Sequence, residues 1–224
     1  MTTGMDAGMR GGMGGRERAA IYGFLAVAYH EPPSSAHLPR LRACEEIARR
    51  ANEKELARGF SELARQIEDC PADLLRQDFD DLLMVPSSKY VTPYESVYRD
   101  EPIERRGEAV PRTFGPSTQA VAEFYDRVGL GIAEDYIELP DYVGLEMACM
   151  EYLCAKEDEY LRAKRKRKGH NARAHSCYFV REHLGQWIPS LMRRIGEKAG
   201  TPYFRTLAIL TCAWVERASG TSEA

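Results

Sequence analysis

The chain has 224 residues, of which 44% are hydrophobic and 29% are charged, as in an ordinary globular protein rather than a disordered or fibrous one. Its formal net charge of -3 excludes a general electrostatic attraction to nucleic acid or anionic membranes. The longest apolar run, residues 207–215, is about half of the roughly 20 residues that a membrane span requires. No signal peptide is visible, so we expect a cytoplasmic protein without stable membrane insertion or a nucleic-acid partner.

The two ends of the chain differ in composition from the rest. Residues 1–15 contain six glycines and few side chains that could pack, which predicts a disordered Gly/Met-rich tail. Residues 218–224 are small or polar and predict a flexible C-terminal tail. The sequence therefore predicts one folded domain over residues 16–217.

Apolar residues in this domain recur with the period of an α-helix. The first helix is predicted to end at the Glu-Pro-Pro of residues 31–33, because proline disfavours helical geometry in the residue before it. Three more amphipathic helices follow before residue 85. Their apolar faces are predicted to consist of Leu41, Cys44, Ile47, Ala48 and Ala51, then Leu56, Phe60, Leu63, Ala64 and Ile67, then Leu75, Phe79, Leu82 and Leu83.

Residues 85–116 form a long loop with five prolines and no trustworthy period. Tyr90, Tyr94 and Tyr98 recur in it at steps of four. Disordered linkers are normally poor in aromatic residues, so we expect the segment around Pro93 to dock on the helical body.

The second half of the domain is helical again. A helix containing Val121 is predicted to stop at Gly129, and a long helix is predicted over residues 139–169, with its C-terminal end carrying the five basic residues 164–168. Two further helical segments are predicted around residues 177–191 and 204–215, the first bent or broken near Pro189. Because no convincing strand pattern occurs, we predict an all-α fold, a single domain of about nine helices.

Motifs of enzymatic chemistry are missing from the sequence. It has no phosphate-binding loop, no nucleophile elbow and no zinc-protease motif, and its six cysteines lack the spacing of a metal site. We therefore expect no catalytic residues, no metal and no cofactor. The alternative is a metal-binding helical regulator or small enzyme that uses His170, His175, Cys177 and His183.

Glu146 is the most informative charged residue, because helical periodicity places it in an apolar stripe with Val143 and Met150. Burying an unpaired carboxylate would cost several kcal/mol, so it must meet a basic or hydrogen-bonding group, either within the fold or on a bound basic peptide. Acidic residues also crowd residues 134–141 and 78–81. These acidic residues could form acidic rims beside apolar helix faces, or they could be ordinary charges of helix N-termini and loops. The basic residues 164–168 could be a solvated helix end or could contact a phosphate group.

The order of four segments resembles the TorD/DmsD family of redox-enzyme maturation chaperones, which is related to the NarJ-type delta assembly subunits. The segments are RERAAIYGFLAVAYHEPP, FDDLLMVPSSKYVTPYESVY, LPDYVGLEMACMEYL and HLGQWIP. The resemblance implies a non-catalytic, all-helical chaperone, monomeric or homodimeric. It would bind the twin-arginine signal peptide and the apo catalytic subunit of a molybdopterin oxidoreductase before export. A delta-type assembly subunit would differ only in its client.

Carried over position by position, the resemblance and the placement of Glu146 predict one peptide-binding region. Tyr142 departs from the family pattern, which usually has histidine there, so we expect altered partner choice rather than lost binding. No nucleotide is predicted. The predicted signal-peptide-binding residues are Leu82, Leu83, Pro93, Tyr94, Tyr98, Pro140, Asp141, Tyr142 and Glu146.

Overall fold

The structure, a computed structural model, describes residues 13–220. The predicted disordered tail therefore lies outside the described residues except for its last three positions, and so do the last four residues of the predicted C-terminal tail. The helices are α1 (Gly15–His30), α2 (Leu38–Arg50), α3 (Lys54–Asp69), α4 (Ala72–Phe79), α5 (Ser96–Arg99), α6 (Pro116–Val128), α7 (Val143–Arg162), α8 (Lys166–Phe179), α9 (Gly185–Lys198) and α10 (Pro202–Ser219), with a short 3-10 turn at Ser35–His37.

Two π-helical segments extend these helices. Asp80–Met84 continues α4. Val180–Leu184 joins α8 to α9 without a break, so α8 and α9 form one continuous helix, which we call the α8–α9 rod. The helix continues through Pro189, where the sequence predicted a bend or break. The wider π turn lies instead one to two turns earlier in the chain. The all-α fold class is confirmed, and the described residues hold nine helices when this rod is counted once.

The core is one apolar cluster shared by all the long helices. The closest helix pairing joins α1 to α7, and α10 packs against α3 and α9. The edge of Phe24 in α1 meets the ring of Phe60 in α3, and Tyr22 meets Trp214 in α10. The apolar faces predicted from periodicity therefore point inward as expected.

The terminal helices extend one to two residues beyond the predicted limits of the domain. α1 begins at Gly15, and Met13 before it is buried and accepts a hydrogen bond at its carbonyl from the buried Arg18 guanidinium. At the other end α10 runs on to Ser219 and ends at Gly220, whose positive φ of 76° suits glycine. The folded domain is therefore longer than residues 16–217.

The long loop at residues 85–116 is more ordered than its sequence suggested. It contains α5 and an antiparallel hairpin of β1 (Ile103–Arg105) and β2 (Glu108–Val110). Both turn residues, Arg106 and Gly107, have positive φ, as a two-residue hairpin turn of type I′ requires. Arginine replaces the usual asparagine at the first position, which hid the hairpin from sequence reasoning.

The predicted helix over residues 139–169 is two helices. α7 ends at Arg162, and Lys164 adopts a left-handed conformation with φ of 58°, while the amide of Arg165 donates to the carbonyl of Tyr160 at 2.8 Å. This is the hydrogen-bonding pattern of a Schellman helix end, formed here without glycine. The basic residues 166–168 consequently lie in the first turn of α8, where the helix dipole disfavours them, and not at a helix C-terminus as predicted.

No helix in residues 13–220 is both long enough and apolar enough to cross a membrane.

Candidate functional site

The proline-aromatic segment of residues 93–98 docks against the start of α7 through backbone hydrogen bonds. Tyr94 and Tyr142 pair as an isolated antiparallel bridge. The amide of Glu95 donates to the carbonyl of Asp141, and the amide of Val143 donates to the carbonyl of Pro93, both at 3.0 Å. The predicted residues of the two segments are thus brought together, and the expected docking of the segment is observed.

The Asp141 side chain fixes the beginning of α5. Its Oδ2 accepts a hydrogen bond from the amide of Ser96 at 2.9 Å, and the residue has no exposed surface. Its Oδ1 has no hydrogen-bond partner among the described residues. Burial raises the pKa of this carboxyl above its ordinary value, although the hydrogen bonds from Ser96 oppose the rise.

Two further carboxyl groups are fully buried at this junction: Glu95, which belongs to the docked segment, and Glu146 of α7. Glu95 accepts hydrogen bonds from Arg99 and from Nδ1 of His183, the latter at 3.0 Å. Glu146 accepts one from the indole N–H of Trp187 at 3.0 Å, and its other oxygen has no partner within residues 13–220. Burial, followed by the charge of Glu95, raises the pKa of Glu146 well above its ordinary value. The protonated form of Glu146 is therefore favoured. We refer to Glu95, Asp141 and Glu146 as the buried acid cluster.

Aromatic rings cover the outer side of this junction. The rings of Tyr94 and Tyr142 lie 5.7 Å apart between centroids, and His30 meets Tyr142 edge-on at 5.1 Å. Tyr142 donates its hydroxyl hydrogen to the carbonyl of Tyr29, which ties the segment to the end of α1. Tyrosine at this position is therefore a buried packing residue with a satisfied hydroxyl group, and Tyr94 similarly donates to Glu138.

Several of the predicted peptide-binding residues are buried in the structure. Leu82 and Leu83 are 0% and 4% exposed, whereas Met84 and Val85, which follow them, are about half exposed. Leu82 is connected to the docked segment because its carbonyl accepts a hydrogen bond from the amide of Val91 at 2.8 Å. The remaining predicted residues lie around the junction: Pro93 is buried, Tyr98 and Pro140 are partly exposed, and Tyr98 packs on Trp187.

The acidic residues of segment 78–81 do not form a continuous exposed acidic rim. Asp78 is buried and caps the start of α10, accepting hydrogen bonds from the amides of Gly200 and Thr201 at 2.9 and 2.8 Å. Asp81 pairs with Lys89 at 3.0 Å, and its pKa is lowered by that hydrogen bond. Helix capping and local pairing therefore account for these charges.

Sequence reasoning missed Glu95, His183 and Trp187 as members of the junction. His183 lies in the π segment between α8 and α9, and its ring stacks on Phe179 at 4.7 Å. Glu95 follows Tyr94 in a segment without periodicity, so nothing in the sequence marked it as buried. The only available signal was that HLGQWIP places a histidine and a tryptophan four residues apart, on one helix face.

The alternative metal site is not formed. Within residues 13–220, no group of three or more His, Cys, Asp or Glu side chains is placed to hold a metal ion. His183 is buried against Glu95, while Cys177 is exposed and His170 lies on the exposed side of α8. The four residues proposed for this site therefore have separate environments.

Comparisons with known proteins fit this architecture. The family described as nitrate reductase delta subunit matches residues 50–193. A chaperone protein TorD from Shewanella pealeana is 26% identical over 156 residues, which cover 70% of this chain and 64% of that protein. A TorD from Shewanella amazonensis is 23% identical over 221 residues, covering 88% of each chain.

A crystal structure from Archaeoglobus fulgidus, described as that of a redox enzyme maturation protein, superposes with a TM-score of 0.52 at 16% identity, covering 93% of this chain and 96% of that one. This likeness supports the fold alone. The family match, in contrast, spans more than half of the chain and confirms the resemblance seen in the sequence. The chain therefore belongs to the nitrate reductase delta subunit family, together with the TorD and DmsD proteins.

Proposed function

We propose that this protein is a chaperone that binds the twin-arginine signal peptide and the apo form of a molybdopterin oxidoreductase, and holds that enzyme in the cytoplasm for cofactor insertion and assembly. The relatives named as TorD chaperones support the general role. The chain covers 64% and 65% of the length of the first two such relatives, so the client and the peptide, which the resemblance implies, are part of this proposal.

The buried acid cluster is the observation that carries the proposal. Three carboxyl groups without exposed surface lie at the junction of residues 93–98 with the start of α7, and one oxygen each of Asp141 and Glu146 accepts no hydrogen bond in the described part of the chain. A guanidinium group offers five N–H donors in a planar fork that matches carboxylate oxygens. An arginine of the peptide would supply the donors that the fold itself leaves out.

Access to the cluster requires the docked segment to move. The segment is held by hydrogen bonds from Ser96 and Glu95 to Asp141 and from Val143 to Pro93, and by the side-chain hydrogen bonds of Tyr94 to Glu138 and of Glu95 to His183, all of which would have to break. A peptide that binds only the open arrangement shifts the protein toward it in proportion to its preference for that arrangement. The half-exposed Met84 and Val85 would offer apolar surface to the stretch that follows the arginines. No catalytic step is needed.

Fluorescence anisotropy with a labelled peptide, containing two adjacent arginines followed by an apolar stretch, tests the proposal. We expect binding that weakens at least tenfold when both arginines are replaced by alanine. Binding should also weaken with added salt, because charge interactions are screened. Equal binding of both peptides would contradict the acidic-site argument.

The variant Asp141→Asn removes one carboxylate of the cluster while keeping the side-chain shape, and we expect it to weaken peptide binding. Asp78→Asn is a matched control, since Asp78 is also a buried aspartate that accepts backbone hydrogen bonds, but at the start of α10. Loss of binding in both variants would point to general destabilisation. Retention in both would argue against the cluster.

The family description also favours a second client, the catalytic subunit of a respiratory nitrate reductase. A delta-type assembly subunit would use the same fold. Co-purification of the tagged chain from cells grown anaerobically, with identification of the associated catalytic subunit by mass spectrometry, distinguishes the two clients.

A further inference from the structure

A second site lies on the other half of α7, between α6, α7 and α8. It is a pocket of about 190 Å³, several times the roughly 30 Å³ that one water occupies in the liquid. Its floor includes the apolar side chains of Val128, Leu153 and Ala172. We call this site the basic pocket; its rim consists of Arg127, Tyr152, Lys156, Tyr160, Lys168, Asn171 and His175.

Positive charge is concentrated around this pocket in a protein that is acidic overall. Residues 160–181 contain eight lysines and arginines and no acidic residue, while the whole chain carries -3. Lys156 pairs with Glu159 at 2.8 Å, but Arg127 and Lys168 form no ion pair within residues 13–220. The pocket therefore favours a negatively charged partner.

The arrangement of the lysines indicates which kind of partner. Lys156 lies 5.8 Å from the ring centre of Tyr152 and 6.0 Å from that of Tyr160, and Lys168 lies 5.6 Å from the latter. Both tyrosine rings are thus already engaged by ammonium groups. A nucleobase would have to displace these groups to stack, which disfavours single-stranded nucleic acid. An apolar side chain flanked by carboxylates fits both the floor and the rim.

This chain presents such a segment on its own surface. Residues 131–138, which we call the acidic loop, contain Glu134, Asp135 and Glu138 and no basic residue. Ile137 within it is 91% exposed, the most exposed of the large hydrophobic residues in the described part of the chain. One exposed apolar side chain is ordinary by itself, but here it stands beside exposed carboxylates, which complement the charge of the basic pocket.

The acidic loop is held in place from both sides of Ile137. The hydroxyl of Tyr136 hydrogen-bonds to Nε2 of His30 at 2.5 Å, and Glu138 accepts a hydrogen bond from Tyr94. Glu134 and Asp135 are exposed, with no ion pair or hydrogen bond from their side chains to other described residues. The loop therefore offers Ile137 and two carboxylates without first having to be ordered, which lowers the entropic cost of binding.

We propose that the basic pocket binds the acidic loop of a second copy of this chain, with Ile137 entering the pocket and Glu134 and Asp135 meeting Arg127 and Lys168. The pocket includes Arg127 and Val128 at the end of α6, and the acidic loop begins three residues after Val128, so the two features are neighbours in the chain. A two-fold axis across this region would allow each copy to supply both a loop and a pocket, so the interface closes as a dimer. The contact is small and charged, so the dimer is weak and sensitive to salt.

Sedimentation velocity of the full chain over micromolar to millimolar concentrations tests the proposal. We expect a monomer–dimer equilibrium at low salt. The variants Arg127→Glu/Lys168→Glu and Glu134→Lys/Asp135→Lys should each weaken self-association at least tenfold, because each brings like charges together. Mixing the two variants should restore association as a heterodimer, since both pocket–loop pairs then join opposite charges: the acidic pocket meets the basic loop, and the unchanged pocket meets the unchanged loop.

Ile137→Ala should weaken the dimer without changing its net charge. Lys54→Glu/Arg193→Glu is the matched control, because these two exposed basic residues lie on α3 and α9, away from the pocket, and the change in net charge equals that of the pocket variant. Circular dichroism confirms that each variant folds.

Three results would overturn the proposal: a chain that is monomeric throughout the concentration range, a control that weakens the dimer as much as the pocket variant, or a mixture that does not associate. Binding of a labelled single-stranded oligonucleotide that is lost only in the pocket variant, without self-association, would assign the pocket to nucleic acid instead. None of these outcomes depends on binding of a signal peptide.

Discussion

The α2–α3 hairpin and the buried acid cluster handle charge in opposite ways. In the hairpin, Leu41, Phe60 and Leu63 have no exposed surface, and the charged residues lie on the outside. Arg50, for example, pairs with Glu46 one helical turn away while both remain more than half exposed. In the acid cluster, three carboxyl groups have no exposed surface at all. The buried apolar face of the hairpin stabilises the fold, whereas burial of the three carboxyl groups destabilises it locally.

The acid cluster lowers the stability of the fold because its carboxyl groups are removed from water. A buried carboxyl group loses its hydration, and only hydrogen bonds or a nearby cation can compensate. Arg99 and His183 compensate Glu95, but Glu146 has one hydrogen bond from Trp187. Unsatisfied buried polar atoms lower the local stability, so we expect this site to open more readily than the hairpin.

The largest effect should come from the hairpin core. Phe60→Ala removes a fully buried ring that contacts Phe24, and we expect a loss of about 3–5 kcal/mol in the free energy of unfolding. Urea unfolding followed by circular dichroism measures it. Arg58→Ala, two residues away and exposed, should change stability by less than about 0.5 kcal/mol. Similar losses in both variants would contradict the division between core and surface.

A smaller effect, confined to one segment, should follow from the acid cluster. Asp141→Ala leaves the amide of Ser96 without its acceptor, and we expect a loss of about 1–3 kcal/mol. Hydrogen exchange measured by mass spectrometry should show faster exchange in residues 93–100, with little change in α2 and α3. Uniformly faster exchange would mean that Asp141 supports the whole fold rather than the docked segment.

The difference between the two regions also explains what the sequence could predict. The hairpin follows from periodicity, since residues at steps of three and four, such as Leu41 and Cys44, mark the buried face directly. The division of the long α7–α8 stretch was missed because its Schellman end uses Lys164 in place of glycine. The β-hairpin was missed for the same reason, with Arg106 at a position of positive φ.

The candidate site was only partly predictable. The proline and tyrosines near Pro93 indicated a docked segment, and the position of Glu146 in an apolar stripe indicated burial with a polar partner. The partner itself, Trp187, is 41 residues away in sequence and follows only from the tertiary fold. Whether the predicted residues bind a peptide stays a prediction, and in this structure Asp141 and Glu146 have no exposed surface.

The pH dependence of stability should also differ between variants of the acid cluster and variants of the hairpin. The pKa of Glu146 is raised in the folded state, so its favourable contribution is complete below the ordinary value of 4.5 and is lost as the pH rises toward the folded-state pKa. Glu146→Gln cannot ionise, and its amide oxygen can still accept the hydrogen bond from Trp187. The variant should therefore gain stability relative to the wild type as the pH rises above 4.5, because only the wild type must keep or lose a proton there.

Thermal unfolding of both proteins from pH 4 to pH 8 measures this difference. An identical pH profile would mean that Glu146 has an ordinary pKa in the folded state. Glu46→Gln in the hairpin provides the comparison, because that carboxylate is exposed and its replacement should leave the pH profile almost unchanged.

The smallest effect should come from the exposed ion pairs of the hairpin. A double-mutant cycle of Arg50→Ala and Glu46→Ala isolates the coupling between the two side chains, and we expect about 0.3–0.5 kcal/mol, decreasing with added salt. Exposed side chains gain little from pairing because water already solvates both charges. A coupling above about 1 kcal/mol would show that the surface charges of α2 contribute substantially to stability. The hairpin and the acid cluster would then differ only in the burial of their charges, and no longer in how much those charges matter for stability.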